Sequence, residues 1–176
     1  MPRVPVSHPV SATSPGRPIA RLALELRLTG SGLLGLGVAC LVVAAATGDI
    51  AAVRLVVPFV VALAAVGGFS LYNSRWLRAA PRPAVRDGVR VEEPSHTTRR
   101  VLVSLVLPLI AVGVAVALGP GLAVVMGGVV AGVGAVDVRN FRWVRERERA
   151  EGAEIYRELG GSPFAGGKRP LYTRPM

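Results

Sequence analysis

The stretch LTGSGLLGLGVACLVVAAATGDIAAVRLVVPFVVALAAVGGFSLY, residues 28–72, decides the fold. It holds two apolar runs, 28–47 and 50–72, parted by Gly48-Asp49. At about 1.5 Å of rise per residue, about 20 helical residues cross a hydrocarbon core of roughly 30 Å. Neither run shows the polar stripe that a helix on the surface of a soluble domain must carry. Arg54 stands within the first turns of the second run, where its long side chain reaches back to the interface. Pro58 predicts a kink near the start of that helix, of the kind neighbouring helices accommodate.

The same arrangement returns further along. Apolar runs at 101–118 and 122–136 are separated by Gly119-Pro120-Gly121, a tight turn by composition. The expectation is an all-α polytopic membrane protein, with four transmembrane helices arranged as two tandem helical hairpins. Residues 1–27 read as a disordered, proline-rich tail with a short amphipathic lead-in along the membrane surface at RLALELRL, 21–28. Hairpin one occupies 28–73, an Arg/Pro-rich loop 74–100, and hairpin two 101–138. Residues 139–176 read as a charged helix over 140–159, stopped by Gly160-Gly161, followed by a flexible tail. Arg142–Glu146 and Arg147–Glu151 are i,i+4 pairs on that helix, each worth a few tenths of a kcal/mol. A brief extended stretch is expected at Val89–Val91.

The chain carries a formal charge of +10, yet about half of it is apolar, and the two properties are segregated. Four arginines precede the first run, seven basic residues lie in the central loop, and nine follow Asp137, whereas the paired runs are joined by turns with only Arg54 at one edge. Positive flanks stay cytoplasmic, so the N-terminus, central loop and C-terminus are expected on the cytoplasmic side of the cell membrane. The segregation fits anionic headgroups rather than nucleic acid as the partner of the positive charge.

The chemical inventory is narrow. No Asp, Glu, Lys or His lies inside the apolar runs away from their ends, which argues against ion- or proton-coupled transport. Ser31, Cys40, Ser70 and Ser104 are too few to assemble a nucleophile, a base and an orienting group. Glu92, Glu93 and His96 are the one polar cluster of acid–base type, in a loop where solvation is the simpler role. No catalytic, metal or cofactor site is expected, and the single cysteine behaves as a small hydrophobe. Small residues spaced by four, Ala64/Gly68, Gly113/Ala117 and Gly128/Gly132, predict close helix packing within the bundle or against a second copy or another membrane subunit.

Two segments resemble each other. Asn73-Ser74-Arg75-Trp76-Leu77-Arg78 closes the second run and Asn140-Phe141-Arg142-Trp143-Val144-Arg145 the fourth, and both read N-x-R-W-(L/V)-R. They contain both tryptophans of the chain, which points to duplication of a two-span unit. Tryptophan and arginine are also the ordinary anchors of a helix end at the headgroup level. Two hairpins that each end in Asn-x-basic-Trp are similar to the GtrA-like family of small membrane proteins. That resemblance implies handling of polyprenyl-phosphate-linked sugars for cell-surface polysaccharide, with Asn73, Arg75, Trp76, Asn140, Arg142 and Trp143 as the matching positions. The arginines would then meet a lipid phosphate through charge-assisted hydrogen bonds. The chain departs from the family at Gly30-Ser31-Gly32, where members carry a polar residue, often asparagine. From the residues themselves, the leading expectation is an accessory or scaffold subunit of a membrane complex, whose loop and tail dock a partner. Lipid-linked sugar translocation or presentation is second, and a holin-like pore third.

Overall fold

The computed structural model describes residues 17–47, 52–85, 88–160 and 169–176. Most of the first tail, the Gly48-Asp49 turn and the Gly160-Gly161 stop (at residue 161) therefore lie wholly or partly outside the described residues. The order of elements is β1 (Ile19–Arg21), α1 (Leu22–Thr47), α2 (Ala52–Asn73), α3 (Arg75–Ala79), α4 (Pro94–Leu118), α5 (Pro120–Glu151), β2 (Ala153–Glu158) and β3 (Leu171–Pro175). Four of the helices, α1, α2, α4 and α5, are long and apolar enough to cross a bilayer. Pro58 and Pro108 both lie inside their helices, and Pro120 takes the first position of α5, where its missing N–H costs nothing. Gly119, at φ 137°, is the one non-helical residue between α4 and α5, so the expected turn is tighter than three residues.

α5 is the hub. It runs antiparallel to α1 and parallel to α2, and α1 meets α5 along most of its length while touching α2 only slightly. Two rows of small residues explain the arrangement. Gly127, Ala131 and Gly134, spaced by four and three, face α1; Gly128 and Gly132 face α2. A Cβ on Gly134 would stand 2.5 Å from the Leu34 nitrogen and 2.8 Å from the Gly30 oxygen, and one on Gly132 would stand 2.8 Å from the Leu63 oxygen. Helix backbones approach this closely where small residues on the facing surface leave room for them. Of the small-residue pairs marked in the sequence, Gly128/Gly132 lies at this α2–α5 seam. Gly113, Ala117, Ala64 and Gly68 are exposed, and a Cβ on Gly113 or Gly68 would meet nothing within 4 Å. α4 packs on α1, with Leu105 against Gly32.

The charged segments fold together at one end of this bundle, and here several sequence expectations are corrected. The chain is mostly helical but not all-α: β1, β2 and β3 form an antiparallel sheet in that order. Ile19 pairs with Glu158 and Arg21 with Tyr156; Tyr156 pairs in turn with Tyr172. The charged helix ends at Glu151 rather than near 159, because Gly152 adopts the left-handed conformation (φ 62°) that caps a helix. Beyond it the AEIYRE sequence of 153–158 alternates its faces as a strand does, with Ile155 toward the helix ends and Tyr156 toward the far side. The expected flexible tail contains β3. The lead-in at 21–28 is not a separate segment but the start of the first long helix: Leu22 begins α1, and Leu22, Ala23 and Leu26 pack with Leu77, Val144, Ile155 and Leu171 under the sheet.

The central loop is no free solvated segment either. It contains α3, and its last residues, from Pro94, already belong to α4. Between them it seals both edges of the sheet. Ile19 N–H donates to Arg90 carbonyl oxygen (3.0 Å) and Glu92 N–H to that of Ile19 (2.8 Å). On the opposite edge Val85 N–H donates to Thr173 oxygen (2.8 Å) and Thr173 N–H to Pro83 oxygen (2.9 Å). The extended stretch expected at 89–91 is thus real, as the strap on β1. Val85, Val89 and Val91 close over Ile19, Tyr156 and Tyr172 as a small second core. Edge strands left open invite pairing with other chains; here the loop bridges each edge, at Ile19 and at Thr173.

Candidate functional site

The junction between bundle and sheet is held by buried carboxylates and arginines. Glu25, in the first turn of α1, takes Arg157 of β2 and Arg100 of α4 (3.1 Å). Arg100 also reaches Glu92 (3.2 Å), whose other bond comes from the Thr97 hydroxyl at 2.6 Å. Glu148, 1% exposed, accepts the Ile155 N–H (3.1 Å) and pairs with Arg145 (3.1 Å). Arg21 pairs with Glu154 (3.0 Å), and Glu158 accepts the Tyr172 hydroxyl (3.1 Å). Burial pushes the Arg157 guanidinium below its ordinary range while Glu25 pulls it back up. The Tyr156 hydroxyl, partly desolvated and bonded to Glu154 at 2.5 Å, is pushed up to about 12. These groups pair with one another, while Glu25 Oε2 and the Nε atoms of Arg21, Arg100 and Arg157 are buried without a hydrogen-bond partner among the described residues. Glu92, the first member of the acid–base cluster considered above, is one of them, while Glu93 and His96 are exposed. Among the described residues no group of three or more His, Cys, Asp or Glu is gathered as a metal site would require.

Among the described residues, openings flank the junction on two sides. The first is a cleft of about 570 Å³ between the start of α1, the start of α4 and the end of α5. Arg21, Arg27, Arg145 and Arg149 line it against one carboxylate, Glu92, and its floor includes Leu24 and Phe141. Arg27 and Arg149 are exposed and have no ion pair among the described residues.

The second lies between α2 and α5 and has two parts that share Gly68, Leu71 and Arg139. The deeper part, about 340 Å³, is walled by Leu63, Gly67, Gly132, Ala135 and Val136 and is almost wholly apolar. The part nearer the sheet, about 360 Å³, adds Tyr72, Ser74, Arg75 and Arg78. Arg75 lies over the Tyr72 ring at 5.2 Å, and Arg78 over Trp143 at 5.9 Å. Arg75, Arg78 and Arg139 have no carboxylate partner among the described residues, and no Asp or Glu lines either part.

The two N-x-R-W segments occupy different settings. The first is broken after Asn73, which is exposed, by Ser74; Arg75 and Trp76 then open the short helix α3. The second sits inside the uninterrupted α5, with Asn140 buried at 4% exposure and Arg142 exposed. They nevertheless converge, because Trp76 and Trp143 pack against the same core beneath the sheet. Trp143 also receives Arg82 at 5.4 Å. Of the six N-x-R-W candidates, Arg75 alone lines either of these two openings. Arg78 and Arg139 join it there without having been singled out. Arg78 ends the first copy of the motif, whereas nothing in the spacing of the sequence marks Arg139, which stands immediately before the second copy. Comparisons of the chain with family models, curated proteins and solved structures return no match, so the GtrA-like resemblance rests on the N-x-R-W residues alone.

Proposed function

We propose that this protein is a non-catalytic subunit of a membrane complex: four helices crossing the cell membrane as tandem hairpins, carrying one basic domain on the cytoplasmic side. The arginine asymmetry supports the orientation, and so does the gathering of the charged segments at one end of the bundle, two of them in one sheet and the central loop bridged to its edges. The observation that carries the docking role is the 570 Å³ cleft, lined by Leu24 and Phe141 and by Arg27 and Arg149, the two of its four arginines that have no ion pair among the described residues. It suits an acidic segment of a partner protein with an apolar anchor; arginine fixes carboxylates by paired hydrogen bonds, and an apolar floor supplies the binding energy of a hot spot. The strands and strap are engaged with each other, which leaves this cleft rather than a free tail as the contact surface. Lipid-linked sugar handling is a second reading, favoured by the position of Arg75 beside a groove that runs along the apolar helices.

The double substitution Arg27→Glu/Arg149→Glu tests the docking role, since neither side chain has an ion pair to lose among the described residues. A protein that co-purifies stoichiometrically from native membranes is expected to fall at least about tenfold in the variant, at equal expression. Equal recovery of the same proteins, or no stoichiometric companion to the unmodified chain, would rule the docking role out.

A further inference from the structure

We infer that the α2–α5 groove is a binding site for one anionic phospholipid, its phosphate held by Arg75, Arg78 and Arg139 and one acyl chain lying along Gly68 and Ala135. The inference rests on the membrane-spanning reading but not on the subunit reading, because it uses the other opening of the molecule.

The groove is divided by chemistry in the way such a lipid is. α2 has 22 residues, about 33 Å of helix, so with its length across the bilayer its last turn stands at the headgroup level. That turn holds Tyr72, and Arg75 and Arg78 follow in α3, directly above the apolar part of the groove. Arg139 joins both parts, as does Gly68. The absence of a side chain at Gly68 keeps the passage open; a Cβ there would meet nothing within 4 Å. Three guanidinium groups with no carboxylate among the groove's lining residues are matched by an anionic oxygen cluster, and the desolvated phosphate of a lipid offers one. Tyr72 and Trp143 hold Arg75 and Arg78 by their ring faces, which orders the cations without neutralising them. A free phosphate would use the arginines and leave the apolar part unfilled, and a membrane-facing groove of this polarity is filled by lipid chain. A surface attracted by net charge alone would need neither the groove nor these three positions.

The two tryptophans report on the site, since Trp143 lies under Arg78 and Trp76 is one residue from Arg75. Full-length protein is reconstituted in phosphatidylcholine vesicles containing increasing mole fractions of phosphatidylglycerol brominated on its acyl chains, and quenching of tryptophan fluorescence is followed. Brominated phosphatidylcholine in phosphatidylglycerol vesicles is the reciprocal arm. Saturable quenching at low mole fraction of the anionic lipid is expected, with at least about a tenfold preference over phosphatidylcholine, since each interfacial arginine is worth about 1 kcal/mol toward an anionic lipid. The variant Arg75→Gln/Arg78→Gln/Arg139→Gln is expected to lose that preference. Gly68→Leu, which fills the groove without a clash, is expected to weaken anionic-lipid quenching with the arginines intact. Arg27→Gln/Arg149→Gln, on the other opening, is expected to leave it unchanged. Preference retained in the triple variant, or in Gly68→Leu, overturns the site. So does a loss in the Arg27/Arg149 variant as large as in the triple variant, which would mean charge attraction only. Full competition by millimolar inorganic phosphate would likewise overturn the role of the chain.

Discussion

Glu25→Ala is expected to destabilise the junction of sheet and bundle by about 3 kcal/mol or more, the cost of leaving a buried charge without its partner. Glu25 is 8% exposed and sits where three parts of the chain meet: it lies in the first turn of α1 and takes arginines from α4 and β2. Its place in the first helical turn also sets a negative charge at the positive end of the α1 dipole. Arg157 carries most of the effect, since Arg100 is more exposed and keeps Glu92. The measurement is thermal unfolding in detergent followed by tryptophan fluorescence, because Trp76 and Trp143 border the core that this ion pair closes. Glu25→Leu/Arg157→Leu provides the discriminating case. Removing both charges is expected to recover most of the loss, whereas Glu25→Leu alone does not. A single variant as stable as the unmodified chain would show that the network contributes nothing.

Gly37→Leu is expected to split the α1–α5 seam at a cost of about 3 kcal/mol, the upper end of what overpacking exacts. A Cβ at position 37 would meet the Gly127 carbonyl oxygen and stand 2.6 Å from the Ala131 Cβ. The first obstacle is backbone, so relief requires the two helices to move apart along the whole row that includes Cys40, Gly127 and Gly134. Gly35→Leu, two residues earlier, puts the same side chain into open space and is expected to stay within about 0.5 kcal/mol of the parent. Resistance of the purified protein to thermal aggregation in detergent reads the difference. Equal behaviour of the two variants would contradict the proposed packing.

The four long helices were legible because an apolar run of bilayer length without a polar stripe has few other solutions, and because Gly119 and Pro120 punctuate the second pair. The sheet was not legible. Its strands are three to six residues long and rich in Arg and Glu, and the pairing of Ile19 with Glu158 joins opposite ends of the chain. Nothing local in either segment announces that partner. Gly152 was read through for a related reason. The i,i+4 charge pattern runs up to Glu151, where Arg147–Glu151 does form at 2.6 Å, and charged residues continue beyond it, but a single glycine able to adopt positive φ ends the helix there. At the groove, Arg75 was visible through the repeated motif. Arg139 was not, because the two walls of the groove come from helices that neighbour each other only in the folded bundle, along the glycine seam at 128 and 132 and the cluster of Leu55 and Phe59 with Ala123 and Val124. The spacing of those glycines was readable; which helix they would face was not.

The central claim is that residues 17–27, the central loop and the C-terminal strands share one side of a membrane, opposite the α4–α5 turn. Sidedness labelling tests it most directly. In a Cys40→Ala background, Ser95→Cys, Met176→Cys and Gly121→Cys are each treated with a membrane-impermeant maleimide, first on intact cells and then on inverted membrane vesicles. Ser95 and Met176 are exposed on the sheet side, and Gly121 is exposed at the opposite end of the bundle. The account predicts that Gly121→Cys reacts in intact cells and that Ser95→Cys and Met176→Cys react only in inverted vesicles. Labelling of Ser95→Cys and Met176→Cys from opposite faces would contradict it, because the strands and the strap could not then form one sheet.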